Sequence, residues 1–367
     1  MTKVRHVLGI SGGKDSAALA LYMREKYPDM DVEYYTCDTG KELDETYKLI
    51  VNLNKALGKE ITELKGAKGD LSPFDHFLTL YGGYLPSSNA RWCTKKLKLE
   101  PFENFVGNDP VISYVGIRGD EDRDGYISRK PNIQSIFPFR KNIWSEDVIK
   151  KVLANSNLNQ ILSFYEALPK VDTSERFEVL LRQPISSNYT QDQKLNLLLD
   201  CNTKIFNKIT FAYLKTTDYP LSKVDYFPLV ENDDVLIRDD IFRILRESGV
   251  GVPAYYEKID FEVNGKNGQY ARSRSGCYFC FFQQKIEWIW LYEQHPERFA
   301  QAMEYEKDGY TWNQSETLSE LIEPERIQQI KEEYIKRTNR NNHKNTSPYM
   351  IDILEDAEEE GCAACFI

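Results

Sequence analysis

Apolar and polar positions alternate between two periods over the first 140 residues. The run "VRHVLGI" (4–10) is short, apolar and rich in β-branched residues, which predicts a buried strand. "DSAALALYMREKY" (15–27) follows with apolar residues at helical spacing, Ala and Leu prominent, and predicts a helix. "DVEYYTCDTG" (31–40) predicts a second strand ending at a turn. "ELDETYKLIVNLNKALG" (42–58) predicts a second amphipathic helix, closed by Gly58. "VISYVGIRGDE" (111–121) predicts a later strand running into a loop. Strands alternating with helices argue for an α/β fold with a doubly wound parallel sheet, whose ligands sit beyond the carboxyl ends of the strands. Gly12–Ser16, Asp38–Gly40 and Arg118–Arg123 all fall at such ends, so one cleft is expected to gather them.

Later segments read differently. From Ile143 to Leu221 the pattern is helical and contains no glycine, as in an inserted helical region. Residues 285–307 predict an aromatic-rich helix and 316–338 a charged one; 337–348 is polar and expected to be loose. The end, "EDAEEEGCAACFI", is acidic with a small apolar tip and is expected to be mobile. The chain thus divides into a nucleotide-type region (1–142), a helical insertion (143–225), a C-x-x-C-containing helical region (226–310) and a C-terminal helix with its tail (311–367).

Composition narrows the function classes. With 367 residues, 41% hydrophobic and 13% aromatic, the chain can bury a sizeable core. Its 47 basic and 57 acidic residues give −10, which argues against a stand-alone nucleic-acid binder and leaves only local basic patches. The start lacks the apolar stretch of a signal peptide, and no run approaches the ~20 apolar residues of a spanning helix. Seven cysteines, an odd number spread along the chain, fit reduced thiols better than disulfides. A cytoplasmic protein with no membrane association is expected.

"SGGKDS" (11–16), between a strand and a helix, has the chemistry of an anion cradle. Glycines let backbone N–H groups approach phosphate oxygens, and the helix N-terminus adds positive potential. Ser11 and Ser16 add hydroxyls and Lys14 a full charge; Asp15 either binds Mg²⁺ or orders the loop. The spacing is not that of the G-x-x-x-x-G-K-[ST] phosphate loop. Asp38 accepts hydrogen bonds from an adenine or ribose, or is a solvated turn residue. Arg118 and Arg123 are forked phosphate donors, or surface partners of Asp120, Glu121, Asp122 or Asp124. Lys95, Lys96 and Lys98 beside Cys93 face an anionic substrate or line a solvated helix face.

Ser11–Ser16 resembles the PP-loop of the ATP pyrophosphatase superfamily. "CDTGKELDETY" (37–47), "RWCTKKLKLEPF" (91–102), "GIRGDEDRDGY" (116–126) and "FPLVENDDVLIRDDIFRILRESGVGVPAYY" (227–256) with "SGCYFC" (275–280) resemble signatures of its branch containing sulfonucleotide (PAPS) reductases. The resemblance covers about 1–140 and 226–300, and implies a Rossmann-like, adenine nucleotide alpha hydrolase-like fold. It further implies ATP and Mg²⁺ as ligands. Ser11, Gly12, Gly13, Lys14, Asp15, Ser16, Asp38, Thr39, Gly40 and Arg118 would hold the nucleotide, and Lys14, Asp15, Arg118 and Arg123 would be catalytic. The implied reaction adenylates a substrate oxygen, releasing pyrophosphate, so that sulfur can replace that oxygen. Among family roles it looks most like Dnd-type DNA sulfur modification (phosphorothioation), often part of phage defence.

Cys277 and Cys280 stand as C-x-x-C, a spacing that brings two thiolates to one metal centre. By resemblance this pair joins Cys93 in holding a [4Fe–4S] cluster; zinc, or free buried thiols, are the alternatives. The related enzymes place a fourth cysteine where this chain has Trp92 or Tyr270. The fourth ligand is therefore Cys37, Cys201 or a tail cysteine, or the cluster has three protein ligands and an open iron. Cys362 and Cys365 either form a mobile thiol pair or are incidental. A cysteine desulfurase as sulfur donor, nucleic acid presented by partner subunits, and a homo-oligomer or multi-subunit complex are the partners the resemblance implies. Three other functions stand beside this one: an ATP sulfurylase, which shares the loop but has no need of C-x-x-C, and two more. A sulfonucleotide reductase is the first, although typical ones lack the full S-G-G-K-D-S; a non-catalytic nucleotide-sensing subunit is the second.

Overall fold

The computed structural model describes residues 3–343, except 68, 122–127, 129, 171–173, 308 and 314. Five strands, β1 (Arg5–Gly9), β2 (Val32–Asp38), β3 (Ile61–Lys65), β4 (Val111–Tyr114) and β5 (Ile133–Ile136), form one sheet in the order β3-β2-β1-β4-β5. Every pairing is parallel, so the doubly wound α/β sheet expected from the pattern is observed. Chain order reverses between β1 and β4, and the crevice at that switch point is where such sheets bind ligands. β4 is shorter than expected. After Tyr114 the chain leaves the sheet and passes close to the next helix, where a Cβ on Gly116 would lie 2.9 Å from the Asp15 carbonyl oxygen.

Helix α1 (Lys14–Lys26) follows β1 and buries ten successive residues, Lys14 to Met23. Its small residues Ala17, Ala18 and Ala20 are fully buried, which lets neighbours approach on several sides. Helix α2 (Asp44–Leu57) is amphipathic, buries Leu49, Leu53 and Leu57, and ends at Gly58 in the left-handed conformation (φ 63°). Helix α3 (Pro73–Leu80) is capped by the Ser72 hydroxyl. Helix α4 (Trp92–Thr94) runs through a π-helical turn, Lys95–Leu99, into α5 (Glu100–Val106).

The glycine-free region is helical as expected: α6 (Glu146–Val152), α7 (Leu158–Glu166), α8 (Glu175–Arg182) and α9 (Gln191–Leu214). Asn202 interrupts α9 with extended backbone, and its side chain accepts a hydrogen bond from the Ile205 amide at 3.0 Å, capping the second half. This region shares one apolar core with the sheet: Trp144, Ile161, Phe206 and Leu245 belong to the same cluster as Ala17, Leu19 and Ile112. A buried relay stitches it in place. The Trp144 indole donates to Asn207 Oδ1 (2.8 Å), Asn207 Nδ2 to the Asn232 carbonyl (3.1 Å), and Asn232 Nδ2 to the Pro138 carbonyl (2.8 Å).

Helix α10 (Arg238–Glu247) packs on α1, and a second core begins beyond it. A hairpin of β6 (Ile259–Val263) and β7 (Lys266–Tyr270) turns at Asn264-Gly265, both with positive φ. The single helix expected over 285–307 is two, α11 (Lys285–Gln294) and α12 (Pro296–Glu304), because Pro296 cannot continue the first. The charged helix resolves into α13 (Leu318–Leu321) and α14 (Pro324–His343), and α14 runs on through a stretch expected to be loose. Polarity alone does not stop a helix, and no glycine or proline intervenes before Pro348. This core (Trp288, Ile289, Trp290, Phe299, Trp312) packs against Leu43, Phe74, Trp92 and Leu97 of the first 100 residues. No helix among the described residues is long and apolar enough to cross a membrane.

Candidate functional site

The 11–16 loop sits at the carboxyl end of β1, at the switch point. Gly12 has φ +73°, and a Cβ there would meet Thr46 Cγ2 at 2.3 Å. Gly13 has ordinary φ, but a Cβ on it would lie 2.5 Å from Ser275 Oγ, so the loop is roofed closely by the segment that leads to C-x-x-C. The Ser16 hydroxyl accepts from the Ser11 amide and pairs with the Ser11 hydroxyl, each at 3.1 Å. Two tyrosines brace the loop from below. Tyr255 donates to the Gly12 carbonyl at 3.2 Å, and the Lys14 amide donates to the Tyr256 hydroxyl at 3.4 Å.

Charge is concentrated and buried here. Lys14 is 7% and Asp15 3% exposed. Lys14 Nζ lies 3.1 Å from one Asp15 oxygen and 4.7 Å from the Tyr256 ring centroid; Arg118 lies 2.9 Å from the other oxygen. Arg118 also pairs with Asp120 and Glu121. Burial pushes the Lys14 ammonium towards its neutral form, and Asp15 opposes that. Burial works against Arg118 as well, but Asp15 and Glu121 prevail and hold its pKa above the ordinary value. Two cations therefore flank one carboxylate at a helix N-terminus, where backbone N–H groups add positive potential. Arg123 lies outside the described residues.

Asp38, Thr39 and Gly40 form the turn after β2. Asp38 accepts from the Gly40 amide (2.8 Å) and from the Tyr47 hydroxyl (2.9 Å). Gly40 has φ +74°, and a Cβ on it would meet Ser72 Cβ at 2.7 Å. The turn also wraps Glu42, a residue that sequence reasoning passed over. Its buried carboxylate accepts from Thr39, Tyr47 and the Lys41 amide, and burial together with nearby Asp38 pushes its pKa up.

The thiols meet this turn. Cys277 Sγ lies 3.2 Å from Thr39 Oγ1, and the Tyr278 amide donates to the Lys41 carbonyl at 2.8 Å. Cys37 Sγ lies 3.8 Å from the Lys98 carbonyl of the π-helical turn, and the Lys98 charge acts on Cys37, Cys277 and Cys280 alike. Such π-turns recur where a helix must re-aim groups at a site. Burial pushes Cys37 up to about 11 and raises Cys277 and Cys280 too, so all three are protonated at neutral pH in the free chain. Cys93 on α4 packs with Cys277 against the second core, whereas Cys201 on α9 packs against the first. Cys362 and Cys365 lie outside the described residues. No group of three His, Cys, Asp or Glu among the described residues is arranged to hold a metal ion. In donor type, the half-buried thiols beside an ammonium suit an iron–sulfur cluster better than a hard cation.

Tyr255, Tyr256 and Ser275 fall within the signature stretches 227–256 and 275–280, but nothing local in the sequence ties them to the 11–16 loop, because their contacts with it span some 240–260 residues of chain. The nearest hint is "VPAYY", a proline-led aromatic pair after α10.

Residues 5–159 match the family model described as the phosphoadenosine phosphosulfate reductase domain. This stretch is similar to PAPS reductase-like domains of the PP-loop superfamily, a nucleotide-using and sulfur-related family. The matched stretch contains the loop, the Asp38 turn, Cys93 and Arg118, while Tyr255, Tyr256, Cys277 and Cys280 come from beyond it. Two uncharacterized proteins of Methanocaldococcus jannaschii are similar. One is 32% identical over 153 residues, 38% of this chain and 30% of the relative. The other is 27% identical over 157 residues, 40% of this chain and 36% of the relative. The chain thus spans about a third of the length of the curated relatives it matches.

Proposed function

We propose that the chain is an ATP pyrophosphatase that adenylates a substrate oxygen so that sulfur can replace it. The observation that carries this reading is the convergence of Lys14 and Arg118 on Asp15, under a glycine loop whose N–H groups open α1. A triphosphate on this loop takes those N–H groups, the hydroxyls of Ser11 and Ser16, and the charge of the two cations. Asp15, with both oxygens engaged, holds the cations in position in the free protein. The substrate oxygen attacks the α-phosphorus and the bond to the β-phosphate bridging oxygen breaks. Lys14 and Arg118 stabilise the charge that grows on departing pyrophosphate. The AMP ester then gives a sulfur nucleophile a good leaving group, and AMP departs with the oxygen. Mg²⁺ would shield the triphosphate when bound, and Cys93, Cys277 and Cys280 are the residues that would hold a cluster, which would supply sulfur or electrons. The contact of the half-buried Cys277 with Thr39 supports a role for the C-x-x-C segment in acting on a group activated at the loop. A cysteine desulfurase as sulfur source and partner subunits that present the acceptor, with phage defence as the setting, belong to the same proposal.

The family match favours a second reading, reduction of a sulfonucleotide. Incubation of the anaerobically purified chain with Mg²⁺-ATP and candidate acceptors separates the readings. AMP and pyrophosphate support adenylation; sulfite from PAPS supports reduction; ATP binding without products supports a nucleotide-sensing subunit.

A further inference from the structure

Arg272, just after the 259–270 hairpin, is 5% exposed. Its guanidinium lies 5.9 Å from the Tyr255 ring centroid and 6.0 Å from that of Trp290. The Arg272 amide donates to the Tyr255 carbonyl at 2.9 Å. Nη2 donates to the Cys277 carbonyl at 3.0 Å and to Gln283 Oε1 at 3.5 Å. Gln283, also buried, donates its own amide to the Cys280 carbonyl at 2.8 Å. Arg272 and Gln283 therefore each hold the backbone of one C-x-x-C cysteine. Each also has a nitrogen left over: Arg272 Nη1 and Gln283 Nε2 have no hydrogen-bond partner among the described residues, and solvent reaches neither. An arginine only donates, so its bond to Gln283 fixes which end of that amide is oxygen and leaves the NH2 spare. No carboxylate pairs with Arg272 among the described residues. Glu287, bonded to the next residue along, accepts from the Ser273 amide and hydroxyl and from the Gln284 amide. The other two buried cations among the described residues are compensated, Lys14 by Asp15 and Lys194 by the Leu181 and Gln183 carbonyls at 2.8 and 2.6 Å. A buried guanidinium without counter-charge is costly.

We propose that Arg272 and Gln283 are positioning residues for a net-negative metal–thiolate centre on C-x-x-C, with Arg272 as its counter-charge and the spare N–H groups as donors to its sulfur atoms. The proposal rests on the reading of Cys93, Cys277 and Cys280 as metal ligands, and adds to it the sign of the charge the site is built to receive. Metal ligation removes the thiol protons, and three thiolates outweigh a divalent zinc ion or an oxidised cluster core. Either centre is therefore an anion formed beside the uncompensated guanidinium. Because solvent does not reach the two nitrogens, a dissolved anion is not what they serve. A buried water would take the same N–H groups but leave the charge uncompensated. A cation and N–H donors next to a cluster favour its reduced, more negative form, so the same two residues set its potential as well as its retention.

The test uses the full chain, purified anaerobically, stripped of metal and reloaded with ferrous iron plus sulfide or, separately, with zinc. Gln283→Glu puts a carboxylate beside Arg272 at nearly unchanged side-chain size. The metal-free variant is expected to melt higher than the metal-free wild type, yet to hold metal about tenfold less tightly. Arg272→Met is expected to weaken retention to a similar extent; should it fail to fold, Gln283→Glu decides alone. In iron-loaded protein both substitutions should shift the reduction potential downwards, which a purely structural role does not predict. Weakened retention, with the lower potential where iron is bound, sustains the proposal, and the metal retained by the wild type identifies the centre. Variants that retain metal as the wild type does, or an iron centre whose potential does not move, overturn the proposal while leaving the metal site standing. A wild-type chain that takes up neither metal defeats the ligand reading and the proposal with it.

Discussion

His6, on the central strand β1, is half-buried with its Nδ1 2.8 Å from the Tyr114 hydroxyl. Burial lowers its pKa to about 4, only partly offset by Asp31. The unfolded chain binds a proton near pH 6.5 and the folded chain does not. The stability contribution is therefore complete above pH 6.5 and is lost as pH falls towards 4, to the extent of about 3 kcal/mol. Denaturant titrations at several pH values should show that loss, and His6→Gln should flatten it; a pH-independent midpoint would refute the assignment. Gly13 gives a residue-scale test of the site itself. Its backbone suits alanine, yet the new Cβ would press on Ser275 Oγ at 2.5 Å. Gly13→Ala is expected to weaken ATP binding with little loss of stability, and Ser275→Gly in the same chain to restore it. If the second change does not rescue, the roof over the loop is not what the substitution disturbs.

At the scale of elements, the buried Trp144–Asn207–Asn232 relay fixes α9 to the sheet. Asn207→Leu leaves an indole N–H and a carbonyl without partners in a dry interior. It should lower unfolding free energy by about 1–3 kcal/mol; an unchanged denaturation midpoint would show that the relay is dispensable. The elements legible in the sequence were those with one clear period. β1, α1, β2 and α2 each carry it over their whole length, and Gly58 marks its stop as the left-handed cap observed. β3 and β5 went unseen because their residues do not look like core: "ITELK" is half exposed, and "IQSI" buries Gln134 and Ser135. The 259–270 hairpin had a readable signal in Asn264-Gly265 that its surroundings, rich in charge, obscured. Loops 11–16 and 38–40 were legible because glycine and charge leave a local signature. The contacts of Tyr255, Tyr256 and Ser275 with the loop were not, since only the tertiary fold brings these residues to it.

Among the described residues, two large apolar cores dominate the molecule, beside two smaller clusters around Tyr35 and Ile117. The first joins the sheet to the helical region, and the second joins the hairpin and α11–α14 to Leu43, Phe74 and Trp92. The 11–16 loop belongs to the first and the C-x-x-C segment to the second, with Ser275 against Gly13 and Cys277 against Thr39 where they touch. If that seam carries a cluster, anaerobically purified protein should contain iron and acid-labile sulfide and absorb broadly in the visible. Cys277→Ser and Cys280→Ser should abolish both, and Cys201→Ser, in the other core, should not. Iron-free protein from anaerobic cells would contradict the cluster while leaving the loop untouched. The loop is the centre of the account, and calorimetric titration of the full chain with a non-hydrolysable ATP analogue and Mg²⁺ tests it most directly. The account predicts one saturable site whose affinity falls at least tenfold in Lys14→Ala; no binding, or binding that ignores Lys14, would contradict it.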